Sequence, residues 1–188
     1  MAIGQRETLL AGAAVYVLEH GFSGLSLRPL ARALGTSDRM LVYHFGSKEA
    51  LVRQVMGHLS AGLAAIVAGN AVHADTAAAV VRMLWEVFRS DLAAPYIRVY
   101  LELFALSLHD PELYGEVVSD LTLTWTAYVG QLLATTAIPR DRRGTAALQV
   151  LATLDGLFIF RQATKNLAAA DQAAEQFASR IDVLLDER

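Results

Sequence analysis

The chain has 188 residues, 54% hydrophobic and 19% charged, with no cysteine. It is too apolar for a disordered chain, and disulfides and thiolate metal sites are excluded, in keeping with a cytoplasmic setting. The net charge of -3 is unevenly placed: residues 1–55 carry six basic and four acidic side chains, and the remainder ten and fifteen, which points to a polyanion-binding face near the N-terminus.

The apolar surplus needs a destination: a subunit interface, a ligand cavity or a membrane. Stretches such as Leu121–Ile138 are broken by Thr, Gln, Gly and Tyr, and a span needs about 20 apolar residues in a row. No membrane association is therefore expected. Met1–Arg6 is short and polar and is read as carrying no leader.

In chain order the pattern is helical throughout. A first helix, about Arg6–His20, places Leu10, Ala13, Ala14 and Val17 on one face and ends at Gly21. Ser26 is expected to cap a second helix, with Pro29 harmless in its first turn. Gly35 stops it, Ser37 caps a short third helix through Phe45, and Gly46 stops that. Ser47 then caps a long fourth helix with Glu49 near its positive end. After a loop at Gly69–Asp75, helices are expected at about Thr76–Ser90, Pro95–Leu108, Pro111–Ala137, Arg142–Thr164 and Asp171–Asp186. The expected fold is all-α with about nine helices. A three-helix helix-turn-helix domain at 1–46 is followed by a larger domain at 47–188.

The segment Ser26–Leu51, SLRPLARALGTSDRMLVYHFGSKEAL, is the most informative. A helix, a tight turn and a second short helix make a helix-turn-helix, whose second helix lies in the DNA major groove. Leu30, Ala31, Leu34, Leu41 and Phe45 are used in packing. Thr36, Ser37, Asp38, Arg39, Met40, Tyr43 and His44 remain to meet base edges and phosphates.

These residues resemble the TetR family of regulators. The matching positions are Ser26, Leu30, Ala31, Gly35, Ser37, Leu41, Tyr43, His44, Phe45, Ser47, Lys48, Glu49 and Leu51, and Leu154-Asp155-Gly156-Leu157 resembles a recurrent segment of the family's eighth helix. The resemblance implies phosphate contacts from Ser26, Ser37, Tyr43, His44 and Lys48, and base contacts from Asp38, Arg39 and Met40. Arg28 and Thr36 complete the expected DNA-binding set. Val42 departs from the family's frequent second Tyr, and Thr36 from a common Val. The family implies a homodimer on double-stranded operator DNA, a small-molecule effector, and repression as the usual mode.

Eight of the fifteen aromatic residues fall between Trp85 and Tyr128. Packed core is one reading. The resemblance adds another, a mostly apolar ligand cavity lined by Trp85, Phe88, Tyr96, Tyr100, Phe104, Trp125 and Tyr128. Arg89, Arg98, Glu102, His58 and His109 are possible polar anchors. Stripes through Leu151, Leu154 and Phe158, and through Phe177, Ile181 and Leu184, are candidates for the dimer interface.

An enzyme is not expected. No nucleophile elbow, phosphate loop or dinucleotide fingerprint appears, and His58, His73 and His109 fit no metal motif. No metal or cofactor is implied. A helical ligand-binding protein or enzyme without DNA binding is the competing reading, against which the intact Ser37–Lys48 segment stands.

Overall fold

The structure is a computed structural model describing residues 2–70 and 74–186, with side chains described at 4–70 and 74–181. Among these residues it is all-α, as expected. The helices are α1 (Ala2–His20), α2 (Leu27–Ala33), α3 (Asp38–Phe45), α4 (Lys48–Asn70), α5 (Ala77–Phe88), α6 (Ala94–Ser107), α7 (Pro111–Leu132), α8 (Arg143–Thr164) and α9 (Leu167–Asp186).

Packing forms two compact units: residues 1–65 with 95–121, and residues 66–94 with 122–188. This partition differs from the functional division drawn at residue 46. The first unit takes α1 to α3, most of α4 and α6, and the start of α7.

The core of the first unit is built on helical spacing. Leu9, Ala13 and Val17 of α1 meet Leu30, Leu41 and Phe45 of α2 and α3; Leu51, Val55 and Leu59 of α4 and Val99 and Leu103 of α6 close over them. Leu10 is only half-buried, and Leu9 holds the inward place instead. Helix α4 is long and apolar enough to cross a membrane by length and composition. Its apolar stripe, Leu51, Val52, Val55, Met56, Leu59, Leu63 and Val67, is buried within the protein.

In the second unit α5 lies against α9 and α8. Alanines at 170, 174 and 178 face inward on α9 with Ile181, and small side chains there let the helices approach closely. Helix α1 starts at Ala2, ahead of the expected Arg6, and two further helix limits differ from expectation. Lys165 takes a left-handed conformation (φ 58°), and Asn166 Oδ1 accepts from the Ala169 N–H at 3.2 Å. That Asn cap starts α9 at Leu167, ahead of Asp171. Helix α7 ends at Leu132 instead of Ala137, where the hydroxyls of Thr135 and Thr136 donate to the carbonyls of Leu132 and Leu133.

Asp155 is a carboxyl half-buried on α8 beside fully buried Leu154, and burial pushes its pKa from 3.8 up to about 7. A raised folded value means its stabilising contribution is complete below the unfolded pKa and lost as pH rises through about 7. Each unit of difference is worth about 1.4 kcal/mol. The urea midpoint should therefore fall between pH 5 and pH 8. Asp155→Asn should shrink this fall, and an unchanged difference between the two pH values would rule out Asp155 as its source.

Candidate nucleic-acid interface

The turn between α2 and α3 is closed by main-chain bonds. Gly35 has φ 64°, its N–H reaches the Arg32 carbonyl at 3.2 Å, and the Thr36 N–H reaches the Ala31 carbonyl at 2.9 Å. This pair is the Schellman arrangement, and the positive φ is why glycine stands there. Ser37 then caps α3, its Oγ accepting from the Met40 N–H at 3.2 Å. Ser26 occupies the N-cap position of α2 but makes no capping hydrogen bond, so the cap expected of its side chain is not formed. Ser47 caps α4 through the Ala50 N–H at 3.1 Å. The same Ser47 hydroxyl, helped by a backbone N–H, holds the Glu49 carboxyl below the usual carboxylate range.

Helix α3 has eight residues and two faces. Leu41 and Phe45 are buried, whereas Val42 and Tyr43 are 45% and 75% exposed. Arg39 is also exposed, one turn before Tyr43, and forms no ion pair among the described residues. Arg28, at the start of α2, stands 3.7 Å from an oxygen of Asp38. Asp38 also accepts from the Arg39 N–H at 2.9 Å. Both partners are exposed, so the pair adds little stability. It does offset the charge of the acid on this exposed surface. Thr36 and Met40 are half-buried, and Lys48 is half-buried in the first turn of α4.

His44, for which a phosphate contact was expected, is half-buried on α3. Its Nε2 is buried without a partner among the described atoms, and its ring meets Tyr43 at 5.1 Å and Phe45 at 6.4 Å. That nitrogen does not reach the surface where a phosphate would lie.

One contributor escaped the sequence reading. Arg6 donates from Nε to the His44 carbonyl at 3.3 Å, bonds Gln54 Oε1 through Nη2, and lies 5.6 Å from the centre of the Phe45 ring. It ties the C-terminal end of α3 to α1 and α4. Its partners lie 38 and 48 residues away, so no local pattern marks it.

The aromatic residues expected around one cavity are divided between the units. Tyr96, Tyr100 and Phe104 belong to the first, with Tyr96 against Gly62 and the Tyr100 and Phe104 rings 4.8 Å apart. Trp85, Phe88, Trp125 and Tyr128 belong to the second. There Trp85 donates its indole N–H to Asp171 at 2.9 Å, Phe88 packs edge-on against Phe158 at 6.5 Å, and Trp125 meets Tyr128 at 5.5 Å. Burial raises the Tyr128 phenol pKa. Between α5 and α9 is an open cleft of about 190 Å³ lined by Arg82, Trp85, Glu86, Arg89, Asp171, Ala174 and Glu175. It is mostly charged, and Arg89 is engaged by Glu86 and Asp171. Arg98 and Glu102 are engaged by α1 and the turn after it. His58 and His109 are exposed, and His73 lies outside the described residues.

The expected dimer stripe also needs correction. Leu151, Leu154, Phe158 and Ile181 are buried within the protomer, and Phe177 is half-buried. The side chain of Leu184 lies outside the described residues. The other side of α8 faces solvent, with Leu148 51%, Ile159 52% and Phe160 41% exposed, and Ala152 and Gly156 exposed between them.

A capped short helix, anchored by two apolar residues, with an arginine and a tyrosine outward and a lysine in the next helix's first turn, has the form of a helix-turn-helix reading head. The sequence model of bacterial regulatory proteins of the tetR family matches residues 9–55. The regulator BetI of Ectopseudomonas mendocina (strain ymp) is 25% identical over 188 residues, 97% of this chain and 94% of that protein. The repressor AcnR of Corynebacterium efficiens is 30% identical over 114 residues, 58% of this chain and 54% of that protein. The fold is shared with the multidrug binding protein EbrR, solved with imidazole: TM-score 0.72, 23% identity, covering 95% of this chain and 89% of that one. Residues 9–55 are thus similar to the DNA-binding segment of the tetR family, and the chain as a whole is similar to regulators that carry it.

The two serines give a local test. Ser37→Ala should cost about 0.5–2 kcal/mol in denaturant unfolding, the usual value of an N-cap bond. Ser26→Ala should leave the midpoint unchanged. Equal losses would show that the Ser37 cap has no special weight.

Proposed function

We propose that the protein is an effector-controlled repressor that binds a palindromic operator as a homodimer in the cytoplasm. Residues 1–46 read DNA, and residues 47–188 bind the effector and the second copy. The observation that carries this reading is the outward face of α3, on which Arg39 and Tyr43 stand exposed while Leu41 and Phe45 anchor the helix. One eight-residue helix reads few base pairs, whereas two related by a dyad read a palindrome.

The geometry supports a division of roles. Arg39 reads a base, its fork suiting the O6 and N7 of guanine. Tyr43, Ser26 and Arg28 hold phosphates from the exposed surface. Lys48, in the first turn of α4, holds another. Ser37 and Asp38 act chiefly within the protein, through the cap and the pair with Arg28. Thr36 and Met40 flank the base-reading edge.

The outward apolar side of α8, from Leu148 through Ile159 and Phe160, supports a second copy as its cover. Two such faces related by a dyad would bury each other, which is the self-complementary contact of a closed dimer. The described EbrR neighbour is a multidrug binding protein, which favours a mostly apolar effector for this chain. Because α4 runs unbroken from Lys48 to Asn70, it offers a continuous element through which effector binding lowers DNA affinity. Such coupling is typically about 1–3 kcal/mol and is reciprocal, so operator weakens effector binding by the same factor.

The operator can be obtained as the duplex that the wild-type protein selects from a random-sequence pool. On it, Arg39→Ala should cost about 1–3 kcal/mol and relax sequence choice, while Lys48→Ala should weaken all DNA alike and reduce the salt slope by about one per half-site. An Arg39→Ala protein that lost selected and random duplexes equally would refute the division of roles. For the dimer, light scattering should give twice the chain mass for the wild type and once for Phe160→Glu. A wild-type protein of single mass would remove the dimer.

A further inference from the structure

We propose that Glu102, seconded by Arg98 one turn earlier on α6, is the positioning group that sets the angle of the helix-turn-helix. The inference rests on the dimeric operator reading above. Glu102 Oε2 accepts the Phe22 N–H at 2.9 Å, and its Oε1 accepts the Ser23 N–H at 2.6 Å. Arg98 Nη2 donates to the Leu18 carbonyl at 3.2 Å. Helix α1 ends at His20, so its last carbonyls carry partial negative charge, and the Phe22 and Ser23 N–H groups lie just beyond it. The two charges on α6 match this polarity. The cation takes the carbonyl end, and the anion takes the N–H groups.

The fit is close enough to dictate sequence on the other side. Gly21 has φ 75°, and a Cβ built there would lie 2.5 Å from Glu102 Oε2 and 2.9 Å from Oε1. A side chain at position 21 would push the carboxylate at 102 out of its present place. Phe22 is fully buried and meets the Tyr114 ring edge-on at 6.5 Å. An apolar plug and a charged clasp thus fix the same corner from two directions.

What the corner fixes is α1, and α1 carries the recognition helix. Arg6 holds the C-terminal end of α3 by the His44 carbonyl, and Leu9, Ala13 and Val17 share a core with Leu41 and Phe45. A shift of α6 would therefore reach Arg39 through rigid, packed parts, without unfolding anything. Hydrogen bonds with an ionised partner are the stronger kind, which suits a joint that must transmit force.

The test uses full-length protein and the duplex selected by the wild type, with versions carrying one or two base pairs more or fewer at its centre. Glu102→Ala should lose about tenfold in affinity for the selected duplex and Glu102→Gln about threefold. Both should keep wild-type affinity for random duplex and depend less steeply on spacing, and amide exchange at Phe22 and Ser23 should accelerate. Glu102→Gln is nearly isosteric and keeps one acceptor, so it serves if the alanine variant fails to fold. Wild-type affinity and spacing dependence in the Gln variant would overturn the proposal. So would equal losses on selected and random DNA, which report a damaged domain instead of a mis-set angle. A wild type indifferent to spacing would sink the dimer reading instead, and the clasp would then stand or fall on the contrast between selected and random duplexes.

Discussion

The recognition helix is too short to hold itself. An isolated helix needs about 12–15 residues to be even marginally stable in water, and α3 has eight and α2 seven. Every outward residue on α3 therefore depends on what grips its inward side. Leu41 and Phe45 are the grip, nearly completely buried against α1 and α4. Ser37 closes one end of the helix and Arg6 the other. The first compact unit is the apparatus that keeps one small surface in one orientation, and for this reason it includes parts of α4, α6 and α7 as well as the three helices of the reading head.

The legibility of this design in the sequence was uneven, for physical reasons. Helix limits set by Gly35, Ser37, Gly46 and Ser47 could be read because caps and stops act within four residues. The split of α3 into inward Leu41 and Phe45 and outward Arg39 and Tyr43 follows from a 3.6-residue period. What could not be read were bonds from a charged side chain to a neutral group far away in the chain. Arg6 with Gln54, and Glu102 with Phe22 and Ser23, are 48, 80 and 79 residues apart. Glu102 and Arg98 looked like ligand anchors because charged residues among aromatics suggest a pocket. The structure uses them on the backbone of α1 instead. The start of α9 was missed for the opposite reason, since Asn166 is a local signal that an aspartate five residues later obscured.

The stripes on α8 and α9 show a different limit. Leu151, Leu154 and Phe158 keep helical spacing, but spacing does not say which neighbour covers a face. On α8 two apolar faces coexist: one lies against α5 and α9, and the other, with Leu148, Ile159 and Phe160, is uncovered in the single chain. The aromatic residues teach the same lesson. Closeness in sequence between Trp85 and Tyr128 suggested one cluster, but the chain enters and leaves the first unit between them.

The distribution of indoles has an optical consequence. The chain's two tryptophans, Trp85 and Trp125, both sit in the second unit, nearly buried, and the Trp85 N–H is bonded to Asp171. Emission excited at the red edge of protein absorption thus comes only from that unit. Loss of structure confined to the reading head would be dark to it, although circular dichroism would register the lost helices. Coincidence of the two signals during denaturation is the usual evidence for all-or-none unfolding. In this chain, the same comparison also separates the melting of one unit from that of the other.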